Sequence, residues 1–271
     1  MLYKQNLHTH GTMCDGKNEY EDTVKKAIEK GFDSIGFSGH SDMPYSPGRS
    51  IKVDQIKNYQ DTILALKEKY KGVIDVLCGI EFDMYSPDPL VGYEYVLGAV
   101  HYLKIGDRYV GFDRAAATVK NVIDTYFDGD GMKYAQKYYE TVAQLPDFGK
   151  IDIVAHFDLV CKHRENENFF DTESKIYRNC ALEALEHLAK TVGVFEVNTG
   201  TIARGYRTTP YPDTFILKAL KEFGAKMIIS SDCHDNELID CYFDESVELL
   251  RSVGFKEVYT LQGKRFVGEK I

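Results

Sequence analysis

Val76-Leu77-Cys78-Gly79-Ile80-Glu81 is a short apolar run that stops on a carboxylate, and six other runs in this 271-residue chain behave alike. Tyr3 to Leu7 leads into His8-Thr9-His10, Ser34 to Ser38 into His40, Tyr95 to Val100 into His101, and Ile151 to Ala155 into His156. Gly193 to Val197 carries Glu196, and Lys226 to Ser230 leads into Ser231-Asp232-Cys233-His234. A continuous Val/Ile/Leu-type run marks a parallel strand buried on both faces. Between these runs lie amphipathic stretches at helical spacing: Glu19 to Lys30, Asp54 (as cap) to Tyr70, Glu173 to Val192, Pro212 to Phe223 and Asp244 to Val253. Alternating strand and helix predicts the α/β class and a β/α barrel, in which residues just past each strand converge on one end. Only twenty residues separate Glu81 from His101, too few for a full helix, so the barrel is expected to be distorted there. Tyr109 to Leu145 reads as an insertion of two helical segments broken at Asp128-Gly129-Asp130-Gly131, placed to shape a pocket. Glu257 to Leu261 fits either an eighth strand or a peripheral one.

The composition sets limits. With 44% hydrophobic residues and no linker-like tract, residues 1–271 are expected to form one domain, and a β/α barrel takes about 250 residues. No apolar stretch approaches the length of a membrane span, and the residues ahead of His8 are too few and too polar for a secretory signal. Six scattered cysteines without a CxxC pair suit a reducing compartment, so a cytoplasmic protein without disulfides is expected. The net charge of −9 argues against nucleic acid as partner while leaving room for a small anion.

Side chains alternate along a strand, so His8 and His10 share a face. Joined to Asp15, His40, Glu81, His101, His156, Asp232 and His234, they form a donor set of neutral nitrogens and charged oxygens suited to Zn, Fe or Mn. A multinuclear metalloenzyme is expected, with Glu81, Asp232 and His234 at its catalytic centre. Such a cluster attracts phosphate, and the cations that would bind it are Lys162 and Arg164 after the fifth strand and Arg204 and Arg207 after the sixth. Arg204, in the loop Thr199 to Gly205, is the favoured fork. Asn198 with Thr199 is placed to hydrogen-bond substrate, or to belong to a buried network. His163 reads either as proton donor to a leaving alkoxide or as an exposed loop residue. Asp42 and Asp158 read as acids orienting imidazoles or as caps. Cys14 and Cys233 are expected to point away from the site, and His187 to be structural. Tyr126, Phe127, Tyr134, Tyr138 and Tyr139 read as pocket wall or as helical core.

His8-Thr9-His10, Asp15, Ser38-Gly39-His40-Ser41-Asp42, Gly79-Ile80-Glu81, Gly98-Ala99-Val100-His101, His156-Phe157-Asp158, Glu196-Val197-Asn198-Thr199 and Ser231-Asp232-Cys233-His234 together resemble the PHP (polymerase and histidinol phosphatase) superfamily. The likeness covers nearly the whole chain. The length, the Gly98 to Leu103 stretch and the middle insertion are most similar to monofunctional histidinol-phosphate phosphatases. The resemblance implies a distorted (β/α)7 barrel and three divalent ions. His8, His10, Glu81 and Asp232 would hold one, Glu81, His101 and His156 a second, and Asp15, His40 and His234 a third. It implies hydrolysis of L-histidinol phosphate to L-histidinol and phosphate, in histidine biosynthesis, by a hydroxide bridging two ions. Another phosphate ester (a nucleotide, a cyclic phosphodiester or phosphotyrosine) and a non-catalytic metal-binding module are the alternatives.

Overall fold

The computed structural model describes residues 2–46 and 48–271. β1 (Gln5–Asn6) is followed by α1 (Tyr20–Glu29), β2 (Ser34–Phe37), α2 (Ile56–Lys69), β3 (Asp75–Asp83) and β4 (Tyr95–Ala99). A hairpin of β5 (Tyr102–Ile105) and β6 (Arg108–Gly111) leads to α3 (Ala116–Tyr126), α4 (Gly131–Val142) and the short α5 (Leu145–Phe148). Then come β7 (Ile153–Val154), α6 (Lys175–Thr191), β8 (Val194–Asn198), the single turn α7 (Gly200–Ala203), α8 (Thr214–Glu222), β9 (Lys226–Ser230) and α9 (Phe243–Val253). A second hairpin, β10 (Glu257–Gln262) and β11 (Arg265–Lys270), ends the chain. No described helix is long and apolar enough to cross a membrane.

Seven strands pair in parallel in the order β1-β2-β3-β4-β7-β8-β9, the number implied by the family resemblance. The ring closes just beyond the strands, where Thr9 lies opposite Cys233; the His10 amide donates to the Cys233 carbonyl at 2.9 Å and the Cys233 amide to that of His8 at 3.0 Å. No helix forms between β3 and β4, in line with the short spacing from Glu81 to His101. Two expectations need correction, and one left open is decided. The insertion opens with the β5–β6 hairpin, so Tyr109 is in a strand, and it ends with α5 beyond the two expected helices. α2 is entered through a tight turn at Val53–Gln55, whose first amide is bound by Asp42, so Asp54 does not cap it. The C-terminal segment is peripheral: β10 pairs only with β11.

Two apolar cores result. One lies between the sheet and the surrounding helices. The other fills the barrel with Leu7, Leu77, Tyr95, Leu97, Ile153 and Ile228, and Leu261 of β10 closes it from below. Gln5 fixes that hairpin with both ends of its amide, Nε2 donating to the Leu261 carbonyl (3.0 Å) and Oε1 accepting from the Leu261 amide (2.6 Å). Inside the barrel the Tyr95 hydroxyl donates to the Leu7 carbonyl at 2.6 Å, and its ring lies against Gly79. A Cβ at position 79 would stand 2.3 Å from that ring, so Gly79→Ala is expected to destabilise the fold by about 1 to 3 kcal/mol through overpacking. An unchanged thermal midpoint would contradict this packing.

Candidate metal centre and active site

The ladder geometry collects the donors. Because Thr9 faces Cys233, His8 and His10 flank one partner while Asp232 and His234 flank the other, and all four turn to the same side. A second parallel bridge sets His40 opposite Glu81. Asp232 at φ 47° and His156 at φ 23° occupy backbone conformations that L side chains rarely adopt. Such residues cost about 1 to 3 kcal/mol each and persist where the surroundings over-determine them, as they do in active sites.

Glu81 is the hub. Its Oε1 lies 2.9 Å from His156 Nε2 and 3.3 Å from His101 Nε2, and its Oε2 lies 2.6 Å from His40 Nδ1, 3.5 Å from His8 Nε2 and 3.7 Å from His10 Nε2. Burial alone would raise its pKa, but His40, His8 and His101 outweigh burial and hold the carboxyl well below the usual range. Asp232 Oδ1 lies 3.2 Å from His10 Nε2 and 3.7 Å from His8 Nε2. Asp15 Oδ1 lies 3.1 Å from His234 Nε2, 3.5 Å from His40 Nε2 and 3.6 Å from His10 Nδ1, while Arg49 holds its Oδ2 at 3.0 Å. The His10 ring stacks on His234 at 3.9 Å.

Within this cluster three sets of atoms are close enough to hold an ion each: His10, Asp15, His40 and His234; His8, His10 and Asp232; and His40, Glu81 and His101. In this grouping His10 reaches the third set and His40 joins Glu81 and His101, while His156 Nε2 stays beside Glu81 Oε1 at 2.9 Å. The donors fit a metal on a physical test. His8 Nε2, His10 Nε2, His40 Nδ1, Asp15 Oδ1 and Glu81 Oε2 are buried without a hydrogen-bond partner, and orphaned polar atoms that converge in this way are satisfied by a shared cation. Burial, with the neighbouring His234, pushes His10 down to about 3, so it faces its neighbours as a neutral ligand.

Behind the donors stand acids that aim them. Glu196 accepts from His8 Nδ1 (3.0 Å), the His156 amide (2.7 Å), Ser230 Oγ (2.6 Å) and Asn198 Nδ2 (2.7 Å). Asp83 lies 3.3 Å from His101 Nδ1 and is itself held by the Tyr45 hydroxyl. Glu196→Gln, which loses the charge opposite His8, is expected to weaken metal affinity about 10- to 100-fold with the fold intact, as checked by metal titration and thermal unfolding. An unchanged affinity would separate Glu196 from the centre.

A cavity of about 630 Å³ opens over this cluster. Lys162 and Arg204 line it, joined by Lys17, Arg49, Asp113 and Arg114, which the sequence reading did not single out. Lys162 Nζ donates to Asp113 Oδ1 at 2.6 Å and lies 4.3 Å from the centre of the Tyr206 ring. Arg204 donates to Asp232, through Nη2 to Oδ2 (2.8 Å) and through Nη1 to the carbonyl (3.0 Å).

Other expected site residues are placed elsewhere. Arg164 and Arg207 do not line the cavity; both bind Asp213, and Arg207 Nη1 lies 3.7 Å from Asp158. Asn198 is buried away from the cavity in the Glu196 network, with Oδ1 accepting from the Gly200 amide. Asp42 binds Lys52 and the Val53 amide, and Asp158 accepts from the Asp213 amide, so neither hydrogen-bonds a histidine of the cluster. His163 is buried with Nε2 donating to the Arg114 carbonyl, and His187 is exposed on α6. Cys14 does not point away: its sulfur lies 3.5 Å from His10 Nδ1. Cys233 donates to the Asp235 carbonyl, outside the cluster. Tyr134, Tyr138 and Tyr139 are core residues.

A family model described as "PHP domain" matches residues 6–200. The chain belongs to the PHP domain family. The chain is 25% identical over 265 residues to a probable histidinol-phosphatase of Deinococcus radiodurans, covering 93% of the chain and 94% of the relative. Among solved structures, the chain resembles the putative histidinol phosphatase of Listeria monocytogenes with TM-score 0.77 and 21% identity, over 89% of this chain and 99% of that one. It also resembles the histidinol phosphate phosphatase of Lactococcus lactis, solved with zinc, L-histidinol and phosphate, with TM-score 0.74 and 21% identity over 98% and 100% of the two chains. Both solved structures share the barrel fold described above.

Proposed function

We propose that this PHP domain is a metal-dependent phosphomonoesterase that hydrolyses L-histidinol phosphate to L-histidinol and inorganic phosphate. The observation that carries the reading is the Glu81 hub, ringed by imidazoles with unpartnered nitrogens and opening into a cavity that bears Lys162 and Arg204. The names of the Deinococcus and Lactococcus proteins support the choice of ester.

Three divalent ions drawn from Zn, Fe and Mn, held by His8, His10, Asp15, His40, Glu81, His101, His156, Asp232 and His234, would supply Lewis acidity to the phosphate oxygens and a water acidified toward neutrality. The chain's own residues do the rest. Glu81 holds a full negative charge at the centre, while Glu196 and Asp83 fix which ring nitrogen of His8 and His101 faces inward. Arg204 locks Asp232 from the cavity side, with Nη1 also 3.3 Å from His234 Nδ1, and would bring its charge to a phosphate oxygen. Lys162, held by Asp113 at 2.6 Å, brings a second positive charge to the same rim.

The test is phosphate release by the metal-loaded protein from L-histidinol phosphate, set beside a nucleoside monophosphate, a cyclic phosphodiester and a phosphotyrosine peptide. L-Histidinol phosphate is expected to show the highest kcat/KM. A higher value for any of the others would move the substrate assignment to that ester, and release from none would leave a non-catalytic module.

A further inference from the structure

The cavity wall carries two acids outside the metal-ligand set, Asp113 and Asp235. A carboxylate next to a phosphate site repels the substrate's phosphate, so it needs a function that offsets the repulsion. Asp235 is engaged on both oxygens, with Oδ1 accepting from the Glu237 amide (3.2 Å) and Oδ2 bound by Lys17 (3.0 Å). Asp113 is engaged on one. Its Oδ1 accepts from Lys162 at 2.6 Å, and among the described residues no donor is placed on Oδ2.

The position of Asp113 is fixed by the fold. The β5–β6 hairpin leaves the barrel after His101 and returns to it, and the Phe112 amide then donates to the His101 carbonyl at 3.2 Å, so the next residue, Asp113, stands beside a donor of the metal cluster. Arg114, the following cation, is turned to Ser46 Oγ and the Tyr102 hydroxyl, and Arg204 is bound to Asp232. Lys162 is therefore the cation that is both bound to Asp113 and held by a flexible stem. When its ammonium turns to a bound phosphate, the Asp113 carboxylate loses its counter-charge in a partly enclosed site, which is costly unless a second cation replaces it.

We infer that Asp113 is the specificity residue for a substrate ammonium, so that the site is built for phosphate esters with a protonated amine on the carbon next to the ester-bearing carbon. This rests on the phosphomonoesterase reading above and names the feature of the substrate alcohol that the enzyme recognises. L-Histidinol phosphate has that arrangement. Its ammonium lies two carbons from the ester oxygen, close enough to reach Asp113 while the phosphate takes Lys162. The pocket thus exchanges one internal ion pair for two with the substrate.

The experiment compares wild type, Asp113→Asn and Lys162→Met on L-histidinol phosphate and on 3-(imidazol-4-yl)propyl phosphate, the same ester without the amine. Asp113→Asn is expected to lower kcat/KM for the aminated ester roughly 10- to 100-fold, the scale of a hydrogen bond between charged groups, mainly through KM. Its effect on the amine-free ester should stay within about threefold, and Lys162→Met should impair both esters alike. Equal losses on the two esters with Asp113→Asn would make Asp113 only a support for Lys162 and overturn the inference, as would no loss on either. Should wild type fail on L-histidinol phosphate yet hydrolyse other monoesters, the histidinol reading falls by itself. The same ratio is then measured on 2-aminoethyl phosphate against ethyl phosphate, where a ratio unchanged by Asp113→Asn overturns the ammonium site.

Discussion

Replacing Glu81 with glutamine is expected to lower kcat/KM more than about 10³-fold, because removal of a single preorganised group already costs about 10² to 10³ and Glu81 faces several donors at once. Its two oxygens lie within 3.7 Å of His8, His10, His40, His101 and His156. An amide of the same shape removes the charge that those rings and any shared ion face, and turns NH₂ hydrogens toward nitrogens that must stay free. Bound metal, read by elemental analysis, should fall further in Glu81→Gln than in His40→Ala. Equal loss in both variants would deny Glu81 its central place, and full activity in a sample verified as metal-free would end the metalloenzyme reading.

Arg204→Ala is expected to lower kcat/KM by about 10² to 10³, the range for one preorganised stabilising group. The sequence suggested a fork free to grip phosphate. The geometry changes that expectation. Arg204 binds both the carboxylate and the carbonyl of Asp232, a residue at strained φ, so the variant should also lose metal affinity. Burial alone would lower the Arg204 pKa, but Asp232 outweighs it and raises it, so the cation persists across the working pH range. Arg204→Lys should recover only part of the activity, since an ammonium cannot span both oxygens. Wild-type kcat/KM in Arg204→Ala would transfer the phosphate grip to Lys162.

The barrel was legible because its strands are continuous apolar runs, and the donors because six of the seven runs lead into one of them. Direction was not legible. Arg164 and Arg207 sit on the expected loops, yet Asp213, which a sequence reader takes for the start of α8, draws both away from the cavity. Asn198 and Glu196 alternate onto one face as expected, but that face meets His8 from behind. Two signals were present and missed. Gly106-Asp107 between Tyr102–Ile105 and Arg108–Gly111 is a hairpin turn, and that hairpin delivers Asp113. Glu81 and Asp83 obey the same period of two that joined His8 to His10, and this alternation points to the acid behind His101.

Leu261 seals the lower end of the barrel, and Gln5 holds that seal by its backbone. The consequence is one of traffic. Among the described residues the cavity over the metal cluster is the opening that ester, alcohol and phosphate would share, so a product still seated there would block the next arrival. Phosphate is the product that matches the cations of the threshold, Lys17, Arg49, Arg114, Lys162 and Arg204, so added phosphate is expected to compete with the ester for the same opening.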